Sequence, residues 1–141
     1  MATGQTILSL ASIVLLAIVT MSIRQMYVQS VHNTVDTQET ADALNFGRDI
    51  AEDIHSYAFM YEQLEGAYGN LNDVTDSGAR LMFESQIEGT LYATVELASE
   101  EELIHGQLGR RAIIRIYKEE KEDDFRMMAE YLTAVSPLEI K

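Results

Sequence analysis

The sequence predicts an α+β protein: a long N-terminal apolar helix, a second amphipathic helix and a four-stranded antiparallel β-meander. Three observations predict it. Residues 5–23 contain no Asp, Glu, Lys, Arg, His, Pro or Gly. From Leu44 to Tyr68 apolar residues recur mostly at spacings of three and four. After Gly78 the apolar period falls from the helical value to alternation.

The apolar run reaches about 29 Å as a helix, close to the roughly 30 Å hydrocarbon thickness of a bilayer. It therefore has the length to cross a membrane. Ser9, Ala11, Ser12, Ala17 and Ser22 are small, which also suits a dry bundle of identical helices. Only Met-Ala-Thr-Gly precedes the run, without Lys or Arg, and helical character continues beyond it, so a retained anchor is expected over a cleaved secretory signal. Arg24 and Tyr27 fit a membrane interface, the one by snorkelling and the other with its polar tip at headgroup depth.

Val28, Val31 and Val35 continue the helical spacing, and no Pro or Gly intervenes before Gly47. One continuous helix toward residue 45 is expected; a capping box at Asp36 to Asp42, with Asp36 and Glu39, offers an alternative start for a second helix. That amphipathic helix, Ala41 to Tyr68, would set Leu44, Ile50, Ile54, Tyr57, Tyr61, Leu64 and Tyr68 toward a core. Phe46, Tyr57, Phe59, Tyr61 and Tyr68 are expected to cover a sheet, aromatic burial being favoured over a stacking surface for a ligand. The chain divides on this reading into a membrane-spanning or assembly helix, 1–31, and an acidic globular head, 32–141.

The segment Gly69 to Gly78 is dense in turn formers. Asn70, Asn72, Asp73 and Asp76 are oxygen donors of the kind calcium takes, which makes Asp73 and Asp76 the candidate metal ligands. The spacing matches no complete calcium loop, and a plain connection is the favoured account. Strands follow. Leu81, Phe83, Ser85 and Ile87 alternate with Met82, Glu84 and Gln86; Leu91, Ala93, Val95 and Leu97 alternate with Tyr92, Thr94 and Glu96; Gly89-Thr90 would turn between them. An acidic loop from Glu100 to Gly109 leads to Ala112, Ile114 and Ile116 set against Ile113, Arg115 and Tyr117. A charged tip, Glu119 to Asp124, precedes Phe125, Met127, Ala129, Tyr131, Thr133 and Val135 on one face of the last strand.

Net charge is -13, unevenly spread: His32 to Gly109 carries 16 acids against Arg48 and Arg80, while Arg110 to Lys141 balances seven against seven. Such a surface repels nucleic acid and anionic headgroups, so no nucleic-acid partner is expected. Arg110, Arg111, Arg115 and Lys118 face Glu96, Glu100, Glu101 and Glu102 of the neighbouring strand and loop. Two uses remain open for them: cross-strand pairs, or contacts between heads of neighbouring copies.

Catalytic signatures are missing. The chain has no Cys, no G-x-S-x-G elbow, no P-loop and no G-x-G-x-x-G. His32, His55 and His105 lack metal-ligand spacing, and the one E-x-x-H, Glu52 to His55, would be needed twice in a di-iron bundle. Neither an enzyme nor a cofactor is expected.

An apolar N-terminal helix leading into a soluble helix and a four-stranded meander resembles type IV pilins and pseudopilins, and the likeness reaches a motif. Gly4-Gln5-Thr6-Ile7-Leu8-Ser9-Leu10 is similar to the prepilin junction, with Ser9 where the family carries Glu. The resemblance implies Gly4 and Gln5 as a processing junction and a subunit that moves its helix from the inner membrane into a surface filament of identical copies. The assembly helix would then act through Ile7, Leu8, Leu10, Ile13, Val14, Leu15, Leu16, Ile18 and Val19. The alternative is a single-span accessory subunit of a larger membrane or secretion complex that does not polymerise.

Overall fold

The computed structural model describes residues 2–85 and 89–138. Gln86 and Ile87, assigned above to the first strand, lie outside the described residues. The chain forms two compact units, 1–37 and 38–141, and each is described by itself.

Helix α1 (Ala2–Ser56) carries 55 residues. It runs through the Asp36–Asp42 capping signal without a break, so the amphipathic pattern from Leu44 belongs to the end of α1 and not to a second long helix. Past α1, the Ser56 hydroxyl donates to the Asp53 carbonyl at 2.6 Å, and the chain tightens into 3-10 turns at Tyr57–Phe59 and Tyr61–Gln63. Side-chain bonding to the preceding turn competes with helical propagation. A short helix α2 (Leu64–Tyr68) follows.

Five antiparallel strands make the sheet: β1 (Leu81–Ser85), β2 (Gly89–Leu97), β3 (Glu101–Ile104), β4 (Gln107–Lys121) and β5 (Asp124–Val135). Strand β4 is the spine, flanked by β5 on one side and by β2 and β3 in succession on the other. The register shows that β2 and β3 are one interrupted strand. Leu97 faces Ala112, the Ala98 amide donates to the Arg111 carbonyl at 2.8 Å, and Glu101 faces Gly109. The expected four-stranded meander thus survives in outline, with the acidic stretch after Glu100 forming a hairpin arm through Gly106 (φ +80°) where a loop was expected. Gly89 and Thr90 are likewise strand residues, opposite Ser85 and Glu84, and not the turn.

The core of the 38–141 unit lies between the 43–54 stretch of α1 and one face of the sheet. Ala43, Phe46, Ile50, Ala51 and Ile54 meet Leu91, Ala93, Val95, Ala112, Ile114 and Ile116, with Leu64, Tyr68 and Val135 closing the ends. Alternation along β2 and β4 sends these residues inward as the pattern required. Ala43, Gly47 and Ala51 recur every fourth residue and form a small ridge that brings helix and sheet close. At Gly47 a β-carbon would stand 2.7 Å from the Tyr131 ring. Leu44, assigned above to this face, is 42% exposed, because it lies a third of a turn off the ridge. Of the aromatics, Phe46 stacks on Phe83 at 5.0 Å and Tyr57 meets Tyr68 edge-on at 5.9 Å, whereas Phe59 is 71% exposed.

Strand β5 departs from its expected alternation. Ile116 pairs with Ala129 but Tyr117 pairs with Met127, so Met128 is an extra residue, a β-bulge that inverts the faces. Ala129 and Tyr131 pack against the core as expected, and Val135 is buried in it. Met127 is exposed instead, Phe125 meets Tyr92 edge-on at 5.6 Å on the outer face, and Met128 packs inward.

Two substitutions test this packing. Ile54 is fully buried, and Ile54→Ala should lower unfolding stability by about 2–5 kcal/mol in denaturant titration. Gly109→Ala would push a β-carbon against Leu103 and to 2.6 Å from the Val135 carbonyl oxygen. It should cost about 1–3 kcal/mol, by displacing the β3–β4 arm, and heat-capacity scans should show the drop.

Candidate assembly helix and head surface

Residues 2–37 of α1 present every apolar side chain of the assembly set to the outside. Ile7, Leu8, Leu10, Ile13, Val14, Leu15, Leu16, Ile18 and Val19 are all between 45% and 70% exposed. A helix from which water cannot be excluded by its own chain needs an external apolar surround. Among the described residues, α1 supplies the one stretch long and apolar enough to cross a membrane, with none of that stretch buried.

The hydroxyls of the apolar run are satisfied within the helix. The hydroxyls of Thr6, Ser9, Ser12, Thr20 and Ser22 donate to the carbonyls of Ala2, Gln5, Leu8, Leu16 and Ile18 at 2.7–2.9 Å. These are all the Ser and Thr residues between Thr6 and Ser22. A hydroxyl already bonded to its own helix adds little desolvation cost when it enters lipid or a helix bundle. The Ser9 hydroxyl is thereby engaged by the Gln5 carbonyl. Gly4 and Gln5 lie exposed in the first turns of α1.

In the head, the basic side chains named from the sequence are each engaged inside the chain. Arg110 pairs with Glu65 of α2 and Arg111 with Glu101 of β3. Arg115 bridges Glu96 and Glu130, at 2.9 Å to each, across the outer face of β2, β4 and β5. Hydrogen bonding to Glu101 raises the Arg111 guanidinium above its ordinary pKa; bonding to Glu130 and then Glu96 raises that of Arg115. Lys118 bonds Glu39 of α1 at 2.5 Å, with both side chains largely buried, and not the β2 acids it was matched with above.

Asp73 and Asp76 build their loop. Asp73 accepts from the Thr75 amide at 2.9 Å and hydroxyl at 2.7 Å, and Asp76 accepts from the Gly78 amide at 2.8 Å. The Thr75 bonds hold the Asp73 carboxyl below its usual range. Among the described residues no cluster of three or more His, Cys, Asp or Glu stands ready for a metal ion. The loop is anchored where its Leu71 carbonyl accepts the Val95 amide at 2.6 Å. His55 contacts the Thr133 hydroxyl at 2.5 Å.

Two features had little sequence signal. Arg80 lays its guanidinium 4.0 Å from the Tyr92 ring centroid while donating to the Val74 carbonyl at 2.7 Å. Tyr68 donates its hydroxyl to Asp53, closing α2 onto α1. Alternation identified Tyr92 as outward-facing, but nothing in one sequence pairs it with Arg80. Comparison with protein-family models, with curated proteins and with solved structures finds no match to this chain.

Burial first, then the bond to Asp53, raises the Tyr68 pKa well above its usual 10.0. Because the folded pKa exceeds the unfolded one, the Tyr68 contribution is complete below pH 10 and is lost as pH rises beyond it. Unfolding free energy should therefore fall as pH rises above about 10. Tyr68→Phe should flatten that fall, measured by denaturant titration at several pH values.

Proposed function

We propose that the chain is a pilin-like structural subunit that polymerises through residues 5–31 into a surface filament bearing its acidic head. The helix would rest in the inner membrane before assembly and in the filament interior afterwards. Partners on this reading are other copies of the same chain, with the membrane as a precursor environment; the reading calls for no cofactor and no chemistry.

One observation carries the proposal: an exposed apolar helix whose five hydroxyls are bonded to its own carbonyls. Each large apolar side chain in it gains roughly 1.5–3 kcal/mol on leaving water, so the set cannot remain solvated. Lipid and a bundle of identical helices are equally dry, and the small side chains at positions 9, 11, 12, 17 and 22 permit close helix approach in the second. Transfer between the two costs little hydrophobic energy, which suits a subunit that exchanges one for the other. The head supplies a separately completed core and a soluble surface.

Leu15→Asp tests the reading. A carboxylate in the middle of the apolar run should cut the yield of filaments sheared from cells at least about tenfold, because burying it costs several kcal/mol. Electron microscopy of sheared material labelled for this chain gives the readout. Unlabelled shear fractions from cells expressing the natural chain, with the chain recovered only in detergent-solubilised complexes, would favour the non-polymerising accessory subunit instead.

A further inference from the structure

The end of α1 shapes an open cavity on the head. It measures about 650 Å³, and Phe59, Met60, Tyr61, Glu62, Glu100 and Leu138 are among its lining residues. Three separate stretches build it. Met60, with φ -132° and ψ 47°, turns the chain between the two 3-10 turns. Glu100 immediately precedes β3. The stretch after β5 returns to this end, where the Leu138 amide donates to the Ala58 carbonyl at 3.0 Å. Phe59, Met60 and Leu138 remain 71%, 51% and 54% exposed, so the cavity carries an aromatic ring and two other apolar side chains that the fold does not cover. Glu62 and Glu100 are exposed beside them. Among the described residues neither carboxylate enters an ion pair or a hydrogen bond. Other acids of the head differ in this respect, since Glu65, Glu96, Glu101 and Glu130 are held by arginines. The Glu100 charge is felt inside the cavity: burial first, and then this carboxylate, raises the Tyr61 pKa. Arg110, which acts on Tyr61 in the opposite sense, is engaged by Glu65.

We propose that this cavity receives an arginine or lysine side chain of a basic protein partner. The proposal does not depend on the assembly reading. An occupant has to satisfy an apolar wall, an exposed aromatic ring and two unpaired carboxylates together. A long cationic side chain does so: its methylene stem covers apolar surface, and its charged head suits both the face of Phe59 and the carboxylates of Glu62 and Glu100. A bare metal ion would answer the carboxylates and leave the apolar wall in water, and among the described residues no cluster of three or more ligating side chains is present. A purely apolar segment would strip water from the carboxylates without pairing them. A second copy of this chain is a poor match, because it brings a net charge of -13 while Arg110, Arg111 and Arg115 of its head are already engaged. The occupant therefore belongs to a different, basic chain, which the negative field of the head attracts. The volume lies within the roughly 300–1,000 Å³ of binding clefts and leaves room for the residues on either side of the inserted one.

Met60 supplies the readout. The full chain is purified in detergent with isotope-labelled methionine methyl groups and titrated with Nα-acetylarginine amide, followed by nuclear magnetic resonance. Met82 and Met127, exposed elsewhere on the head, serve as internal references. The Met60 methyl resonance should shift saturably while those of Met82 and Met127 stay in place. Nα-acetylnorleucine amide, which keeps the apolar stem and lacks the charge, should bind at least about tenfold more weakly. Glu62→Gln together with Glu100→Gln should weaken the arginine probe by at least about tenfold, and so should Phe59→Ala. Thermal unfolding should be the same in these variants, because all three side chains are exposed. A Met60 signal that moves no more than the two references overturns the proposal. Equal binding of the norleucine probe also overturns it and makes the cavity a seat for an apolar segment, and undiminished binding to the double glutamine variant removes the assigned role of the carboxylates and the proposal with it. None of these results bears on filament assembly, which is read separately from sheared material.

Discussion

The exclusion of water from residues 5–23 is the constraint on which everything else depends. An uncharged helix of this length loses more by hydration than a small domain gains in net folding stability, and no part of the chain covers it. Its serines and threonines do not relieve the problem by reaching water; they return to the preceding turn and make the helix surface more nearly inert. On the proposed reading the surround comes from outside the chain, as lipid or as other helices.

The head meets the opposite requirement. It is a sheet with one face closed by a helix, and the closeness of that helix comes from the ridge of Ala43, Gly47 and Ala51. Its charges are dealt with locally. Arg110, Arg111, Arg115 and Lys118 are all matched by acids of the same unit, so the negative excess is left on the surface as solvation. On the proposed reading the labour divides: the apolar surface drives association, and the head carries its own core.

Much of this was legible in the sequence for a simple reason. Inward residues of β2 and β4 follow a strict alternation, and a two-residue period has few competing readings. The apolar helix was legible from composition alone. Three things were not. The end of α1 at Ser56 carries no Pro or Gly, so the 3.6 spacing runs on through Tyr57 and Tyr61 although the backbone there is 3-10. The Met128 bulge inserts one residue, and a single insertion inverts every later or earlier assignment without changing composition. The helix contact was read from large residues, which selected Leu44, while the fit is made by small ones. Among the site residues, the apolar set stood out by type, but the pairing of Lys118 with Glu39 depends on tertiary approach and has no local signature.

The most direct measurement of the central claim is electron cryomicroscopy of particles containing this chain, at a resolution that traces the helix backbone. The account predicts that residues 5–31 of each copy lie in a dry interior against the same residues of neighbouring copies. A map in which every such helix is enclosed by lipid or by a different protein, with no two copies in helix contact, would contradict it.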